Sequence, residues 1–404
     1  MIRLDVWVTL PNGERHHAGE LITSDPNQTR GAIQGEFRYS EHYLALPSAF
    51  ALDPQSLPLK PGVFAADRPT AGIHAVFEDA LPDDWGRRLL VHRYRLRPTE
   101  QRAPNLLRCL GDNGMGALSF GEGSLPPRTT QMPDHSVEQL LEVALAFDAG
   151  ESVVEADLST LFAAGSSPGG ARPKAVVHDN NRHWIAKFPR VKDTFDVVRL
   201  EAATMALAQH SGLEVPQFKV MDCGEHAAFL IQRFDITEHG RRHMISMQTL
   251  LKADNYYVLS YSDIAEVLRR YSANPSTDLE KLYRQMIFNA LIGNTDDHLK
   301  NFAMLHDDSG YHLSPAFDLI PNIGSNSEHV LRFGLSATAP KRQEVIGMAK
   351  AFNLGSAQAN SCLDAILCII SQWREVFHEH QVPEQDKKRL QAGIEQRINN
   401  LQAH

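Results

Sequence analysis

The stretch Gly293–Leu305, GNTDDHLKNFAML, gathers two aspartates, a histidine, a lysine and an asparagine at the entrance to an apolar segment. Four chemistries suit such a cluster. Asp and Asn side chains cap local backbone in many polar loops. Asp296, Asp297 and His298 would bind a divalent cation, although contiguous ligands seldom converge without residues from elsewhere. A nuclease would want further acids and a histidine general base. A kinase wants an aspartate to orient the attacking hydroxyl, an asparagine on the same loop to hold magnesium, and a second aspartate beyond a short hairpin. Asp296 and Asn301 stand five residues apart, the separation of Asp and Asn in the protein-kinase catalytic loop. Asp318, in AFDLIP, follows one expected hairpin, and Lys300 would neutralise charge on a transferring phosphoryl group. Spacing alone leaves the kinase level with the plain polar loop.

The elements around this cluster would hold it firmly. Thr277 and Glu280 form a capping-box pattern, and Leu279, Leu282, Tyr283, Met286, Ile287, Ala290 and Leu291 recur on one helical face. Gly293 sits where a helix commonly stops, so Asn294–Asn301 reads as a loop at the end of a buried helix. FAML and YHLS then read as strands around the turn DDSG. Upstream, LDVWVTL alternates into the turn PNGE as a first hairpin. The Pro- and Thr-rich residues 122–135 read as a connection. Ser136 with Gln139 caps a helix, and KAVVHD and HWIAKF flank Asn180-Asn181 as a second hairpin. From about residue 240 the pattern is mostly helical.

Features ahead of the cluster favour the kinase. Residues 163–177, AAGSSPGGARPKAVV, run a glycine-rich loop into a strand, which suits backbone N–H contacts to phosphate oxygens. The loop is not a Walker A motif, because Lys174 is misplaced and no Ser or Thr follows it. Lys187 lies on a strand, and Glu201, inside LEAATMALAQ, would hold it as in the Lys–Glu pair of kinases. FLIQRFD, residues 229–235, suits an adenine-binding hinge. Each feature is weak alone; their order along the chain carries the reading.

Composition bounds the rest. At 404 residues, 43% hydrophobic and 22% charged, the chain has the make-up of a soluble globular protein of two or three domains. A net charge of −9 is not that of a chain that coats nucleic acid by bulk electrostatics, although it leaves a local basic patch open. Cys109, Cys223, Cys362 and Cys368 are scattered, without a CxxC pair, which points to a reducing compartment. The N-terminus is unlike a secretory signal, and the apolar run near Ala365–Ile370 is too short for a bilayer. A cytoplasmic protein that does not engage membranes is expected.

The ordered set SSPGGARPK, IAKFP, IQRFD, NTDDHLKNF and LSPAFDLIPN resembles the HipA family of serine/threonine kinases, the toxins of bacterial HipBA-type toxin–antitoxin modules. VFEDALPDDWGRRLL and CLGDNGMGALSFG resemble that family's N-terminal subdomain, so the resemblance covers essentially the whole chain. It implies an α+β, protein-kinase-like bilobal fold. A mixed α/β N-terminal subdomain would occupy 1–125, a β-rich nucleotide-binding lobe 136–235, and a mostly helical lobe 236–404. Carried over by motif position, Asp296 is the catalytic aspartate, with Lys300 beside it, and Asn301 and Asp318 are the magnesium ligands. Gly169, Gly170, Ala171 and Lys174 would lie over the phosphates of ATP, Lys187 would contact them, and Gln232, Arg233 and Phe234 would meet the adenine. Asp297 is the rival for the catalytic role and is expected to face solvent or cap the loop; His298 is expected to form structural hydrogen bonds beside the nucleotide. In the family a serine before the glycine pair is autophosphorylated, which implies Ser167, with Ser166 next to it. A dianion there would repel the phosphates of ATP. No separate helix-turn-helix stands out, so DNA contact would run through a small HipB-like DNA-binding antitoxin. The family's best-known substrate, glutamyl-tRNA synthetase, makes an aminoacyl-tRNA synthetase one candidate target. A small-molecule kinase and a nucleotide-binding pseudokinase acting as co-repressor are the alternatives.

Overall fold

The computed structural model describes residues 1–402 apart from 28–30, 69–70, 124, 129–135, 152, 154–160, 162–171, 180–181 and 255–256. Chain contacts divide it into two compact units. The first comprises Met1–Arg190, Arg233–Lys252 and Leu305–Ser309; the second comprises Val191–Gln232, Ala253–Met304 and Gly310–His404.

In the first unit the expected hairpin forms from β1 (Ile2–Thr9) and β2 (Arg15–Thr23), with a register shift at Val6/Trp7. With β3 (Gly35–Tyr39), β4 (Phe64–Ala65) and β5 (Leu118–Gly121) these strands make an antiparallel sheet of order β4-β3-β2-β1-β5. Alternation buries Leu4, Val6, Val8, Leu21 and Phe37 completely. The segment AVFEDALPDDWGRRLLVHR makes two helices, α1 (Ala75–Asp79) and α2 (Asp84–Arg93), with Asp83 capping the second through Gly86 N at 3.1 Å. Helices α3 (Ala103–Leu110) and α4 (Val137–Ala149) follow, the latter with the expected Ser136/Gln139 capping box. Strands β6 (Lys174–Asp179) and β7 (Arg182–Lys187) pair antiparallel, placing Lys174 opposite Lys187; the Asn180-Asn181 turn lies outside the described residues.

Two histidines of this unit are buried in neutral form. His243 places Nε2 2.8 Å from Leu52 O, and His74 sits edge-on to Phe37 and Phe77. Burial pushes the His74 ring down to about 4 and the His243 ring to about 3, against 6.5 for a free imidazole. The unfolded chain therefore binds more protons than the folded one below 6.5, and stability falls as pH drops from there through the folded values. The urea midpoint of the protein is expected to decline steadily from pH 6.5 to pH 4, and more shallowly once His74 and His243 are replaced by Gln. Asp53, raised by burial, acts in the opposite direction only in the carboxylate range.

The second unit is built on helices. α5 (Val197–His210) lies beside the hairpin of β8 (Phe218–Cys223) and β9 (His226–Gln232). α6 (Tyr261–Tyr271), α8 (Ser356–Ile370) and α9 (Glu384–Gln402) surround α7 (Pro275–Ile292), whose apolar side chains are fully buried. α7 starts ahead of the Thr277/Glu280 box expected from the sequence. Asn274 Oδ1 accepts from Thr277 N, Pro275 opens the first turn where its missing N–H costs nothing, and Glu280 instead binds Arg284 at 2.9 Å.

α7 stops at Gly293 as expected, with φ +79°. Beneath that residue the Arg397 guanidinium of α9 donates to Leu291 O and Ile292 O, each at 3.0 Å. A Cβ on Gly293 would stand 2.4 Å from an Arg397 nitrogen. Gly293→Ala is therefore expected to lower the unfolding free energy by about 1–2 kcal/mol, through left-handed strain and the displaced arginine. Paired denaturation curves of the two proteins measure it. The turn after α7 leads to β10 (Ala303–Asp307) and β11 (Gly310–Leu313), as FAML and YHLS predict. The hairpin of β12 (Glu328–Phe333) and β13 (Ser336–Thr338) interrupts a region that reads as mostly helical.

Candidate active site

The loop after Gly293 is held from below by amides and from the side by β12. Asn289, on the last turn of α7, donates to Tyr261 OH at 3.0 Å and accepts from Asn294 Nδ2 at 3.2 Å. Asn322 N donates to Gly293 O at 2.9 Å, and its Nδ2 reaches Thr295 Oγ1 at 2.7 Å. Further along, Tyr257 OH accepts from Leu299 N at 2.9 Å. None of these partners was singled out from the sequence. A polar Asn289 on the apolar face of α7 is the signal that would have found the first.

The neighbouring aspartates have opposite surroundings. Asp297 is fully buried rather than facing solvent or capping its own loop. Its Oδ2 accepts from Tyr261 OH at 2.6 Å and lies 3.1 Å from His329 Nδ1. Its Oδ1 accepts from Val330 N at 2.9 Å and Leu331 N at 3.2 Å. This carboxylate joins the loop to α6 and β12. Its partners lie more than thirty residues away in the chain, which is why the loop sequence alone pointed elsewhere.

Asp296 is the exposed member of the pair. Partial burial raises its pKa; Asp318 and Asp297 add repulsion, while His298 lowers it. Asp318 therefore stands within electrostatic reach of Asp296, at a left-handed φ of +56°. Such backbone costs about 1–3 kcal/mol for a non-glycine residue and concentrates at functional sites. Asn301 is buried and donates Nδ2 to Asp296 O at 2.9 Å, while its Oδ1 has no donor. A buried acceptor oxygen without a protein donor suits a bound water or a cation. His298 Nδ1 is buried and likewise unpartnered, and Lys300 is exposed. Asp296 thus lies within electrostatic reach of His298 and Asp318, and Asn301 is bonded to its backbone carbonyl. Among the described residues no three His, Cys, Asp or Glu side chains cluster as metal ligands. A hard cation held by Asn301 and Asp318, with remaining positions taken by phosphate and water, suits this donor set better than an all-protein cage.

The other expected site residues are placed as follows. Lys174 is buried, with its amine 2.5 Å from Asp83 Oδ2, and Lys187 is half-buried at the end of β7. Glu201 is buried within α5. Gln232 N donates to Gln217 O at 2.8 Å, Arg233 N to His183 O at 2.9 Å, and Phe234 O accepts from Arg242 at 2.9 Å. The Arg233 side chain is buried against Asp235 (2.6 Å) and Gly114 O (3.2 Å). Ser166, Ser167, Gly169, Gly170 and Ala171 lie outside the described residues.

Residues 166–373 match the family model of the HipA-like C-terminal domain, and residues 12–121 match that of the HipA N-terminal domain. The chain belongs to the HipA family. A Sinorhizobium fredii protein named "Putative kinase Y4mE" is 27% identical to this HipA-family chain over 331 residues, 72% of this chain and 76% of that protein. The "Serine/threonine-protein kinase toxin HipA" of Shewanella oneidensis is 22% identical over 343 residues, covering 75% and 74%. A chain of the Shewanella oneidensis MR-1 structure of HipA, HipB and operator DNA superposes with a TM-score of 0.70 at 17% identity, over 98% of this chain and 95% of that one. The α+β fold is therefore the one seen in that HipA complex, and the family is one of HipA-type kinase toxins. No helix among the described residues is long and apolar enough to cross a membrane.

Proposed function

We propose that this HipA-family protein is an ATP- and magnesium-dependent protein serine/threonine kinase that acts as the growth-inhibiting toxin of a toxin–antitoxin module. The observation that carries the reading is the buried, donorless Asn301 Oδ1 beside an exposed Asp296 and a strained Asp318. In this reading Asn301 and Asp318 hold magnesium, which when bound neutralises phosphate charge. Asp296 accepts a hydrogen bond from the acceptor hydroxyl and turns its lone pair towards the phosphorus. Its raised pKa keeps it basic enough to take the proton late in the transfer. Lys300, exposed beside it, stabilises charge on the phosphoryl group as the leaving bond breaks.

Lys187, Glu201 and Lys174, with Gly169, Gly170 and Ala171, are assigned to the nucleotide phosphates. Gln232, Arg233 and Phe234 are assigned to the adenine, and His298 to the nucleotide side of the loop. The functional parts are drawn at 1–125, 136–235 and 236–404. Ser167, or Ser166 beside it, is the expected site of self-inactivation. The partner is a HipB-like antitoxin, through which the protein reaches DNA, and the site of action is the cytoplasm. An aminoacyl-tRNA synthetase is the substrate to try first.

Incubating purified protein with labelled ATP and magnesium, beside Asp296→Ala, tests the reading, with the label mapped by mass spectrometry. Label on Ser167 or Ser166 in the wild type alone is expected. ATP binding without label on the protein or on an added acceptor would overturn the enzymatic reading in favour of a pseudokinase.

A further inference from the structure

Strand β12 is fastened to the loop that carries Asp296. Besides its bond to Asp297, Val330 N lies 3.2 Å from Thr295 O. At the next pleat Arg332 N donates to Leu259 O at 3.0 Å, and Ser260 bridges Arg332 in parallel. Val258 and Val330 each precede this bridge by two residues on their own segments. β12 alternates strictly: His329, Leu331 and Phe333 are buried, while Glu328, Val330 and Arg332 face outward.

That outward face is unusual in two respects. The second unit exposes four large apolar side chains among the described residues: Val191, Val258, Val330 and Leu335. Three of them lie on the two bridged segments and the hairpin turn, with Val258 53% exposed, Val330 39%, and Leu335 94%. Apolar side chains grouped on a surface mark interaction sites more often than scattered ones do. The second respect is charge. Arg332 shares the face with Val330, Lys300 is exposed on the loop, and Lys341 is exposed just past the hairpin. None of these three cations has a carboxylate partner among the described residues, in a chain of net charge −9. Glu328, on the same face, is four residues from Arg332, about 13 Å along a strand, and does not pair with it.

We propose that this face seats the acceptor segment of the protein substrate. The segment is an extended stretch next to the acceptor serine or threonine, with an apolar side chain on Val258 and Val330 and an acidic one opposite Arg332. The inference rests on the kinase reading, because that reading requires an acceptor hydroxyl at Asp296, one residue from the carboxylate that clamps β12. A flat, two-strand surface suits an extended peptide rather than a small molecule. Its unpaired cations are complementary to acidic side chains and steer them in.

The test uses the full chain, labelled ATP and magnesium on an arrayed peptide library with fixed serine or threonine and every residue type at each flanking position. In parallel, the same peptides carrying a fluorophore are titrated onto Asp296→Asn, which reads binding without turnover. Apolar and acidic flanks are expected to be selected in both arms. Val330→Asp should abolish the apolar preference, and Arg332→Glu should change the ratio of kcat/KM for acidic over basic peptides by about tenfold or more, towards basic ones. A general loss of rate with the flank preference intact would overturn the proposal, since a merely structural role produces that. Selective binding with no label would support the face while removing the kinase reading. Label without flank selection would do the reverse, and peptides neither bound nor labelled would also overturn the face.

Discussion

Replacing Asp296 by Asn is expected to reduce phosphoryl transfer by about 10²–10⁴-fold, the usual worth of a positioned general base, while leaving the thermal midpoint equal to or above that of the wild type. The two halves of this outcome have a common cause. Desolvation of the Asp296 carboxyl, with repulsion from Asp318 and Asp297, outweighs the attraction of His298, so its charge is maintained at a cost to folding. An amide of the same shape relieves that repulsion but has no lone pair basic enough to take a proton. Radiolabel transfer to an acceptor gives the first quantity, and a thermal or urea scan the second. A variant that lost activity in proportion to lost stability would point to a structural role for Asp296 and return the loop to a plain polar turn.

The adjacent substitution is expected to behave in the opposite way. Asp297→Ala removes the acceptor for Tyr261 OH, Val330 N and Leu331 N together and leaves His329 without its carboxylate. Leaving several buried donors without an acceptor costs about 1–3 kcal/mol each, together enough to unfold a domain of ordinary stability. Asp297→Asn should be milder, since its oxygen can still serve the two amides, although its NH₂ then meets Tyr261 or His329. Chemical denaturation of the three proteins ranks them directly. A folded, fully stable Asp297→Ala would remove the account of this carboxylate as the clamp between loop, helix and hairpin.

The contrast between two identical neighbours shows where sequence reading reaches its limit. The spacing of Asp296 and Asn301 is visible because both lie on one short loop, and the structure bonds the amide of one to the carbonyl of the other. The first hairpin and the stop at Gly293 are visible for similar reasons, since alternation and a left-handed cap are local properties. The burial of Asp297 depends on Tyr261 and on β12, 32 to 36 residues away on either side. β12 was itself missed because its six-residue alternation, EHVLRF, sits in a helical neighbourhood. The start of α7 lies ahead of its capping-box pattern because Asn274-Pro275 satisfies the helix end with fewer side chains. Local chemistry was legible; the donors that make it rigid come from distant chain.

Arg397 gives the loop a dependence on the order of synthesis. The carbonyls of Leu291 and Ile292 are made about a hundred residues before the guanidinium that satisfies them. On the ribosome every chemical group of the candidate site is therefore present well before its floor is. A nascent or truncated chain without α9 would carry Asp296, Asn301 and Asp318 on a helix end with unanswered carbonyls. A chain built in this order closes the floor of the loop only when the helix that carries Arg397 has docked, long after the loop's own residues have been made.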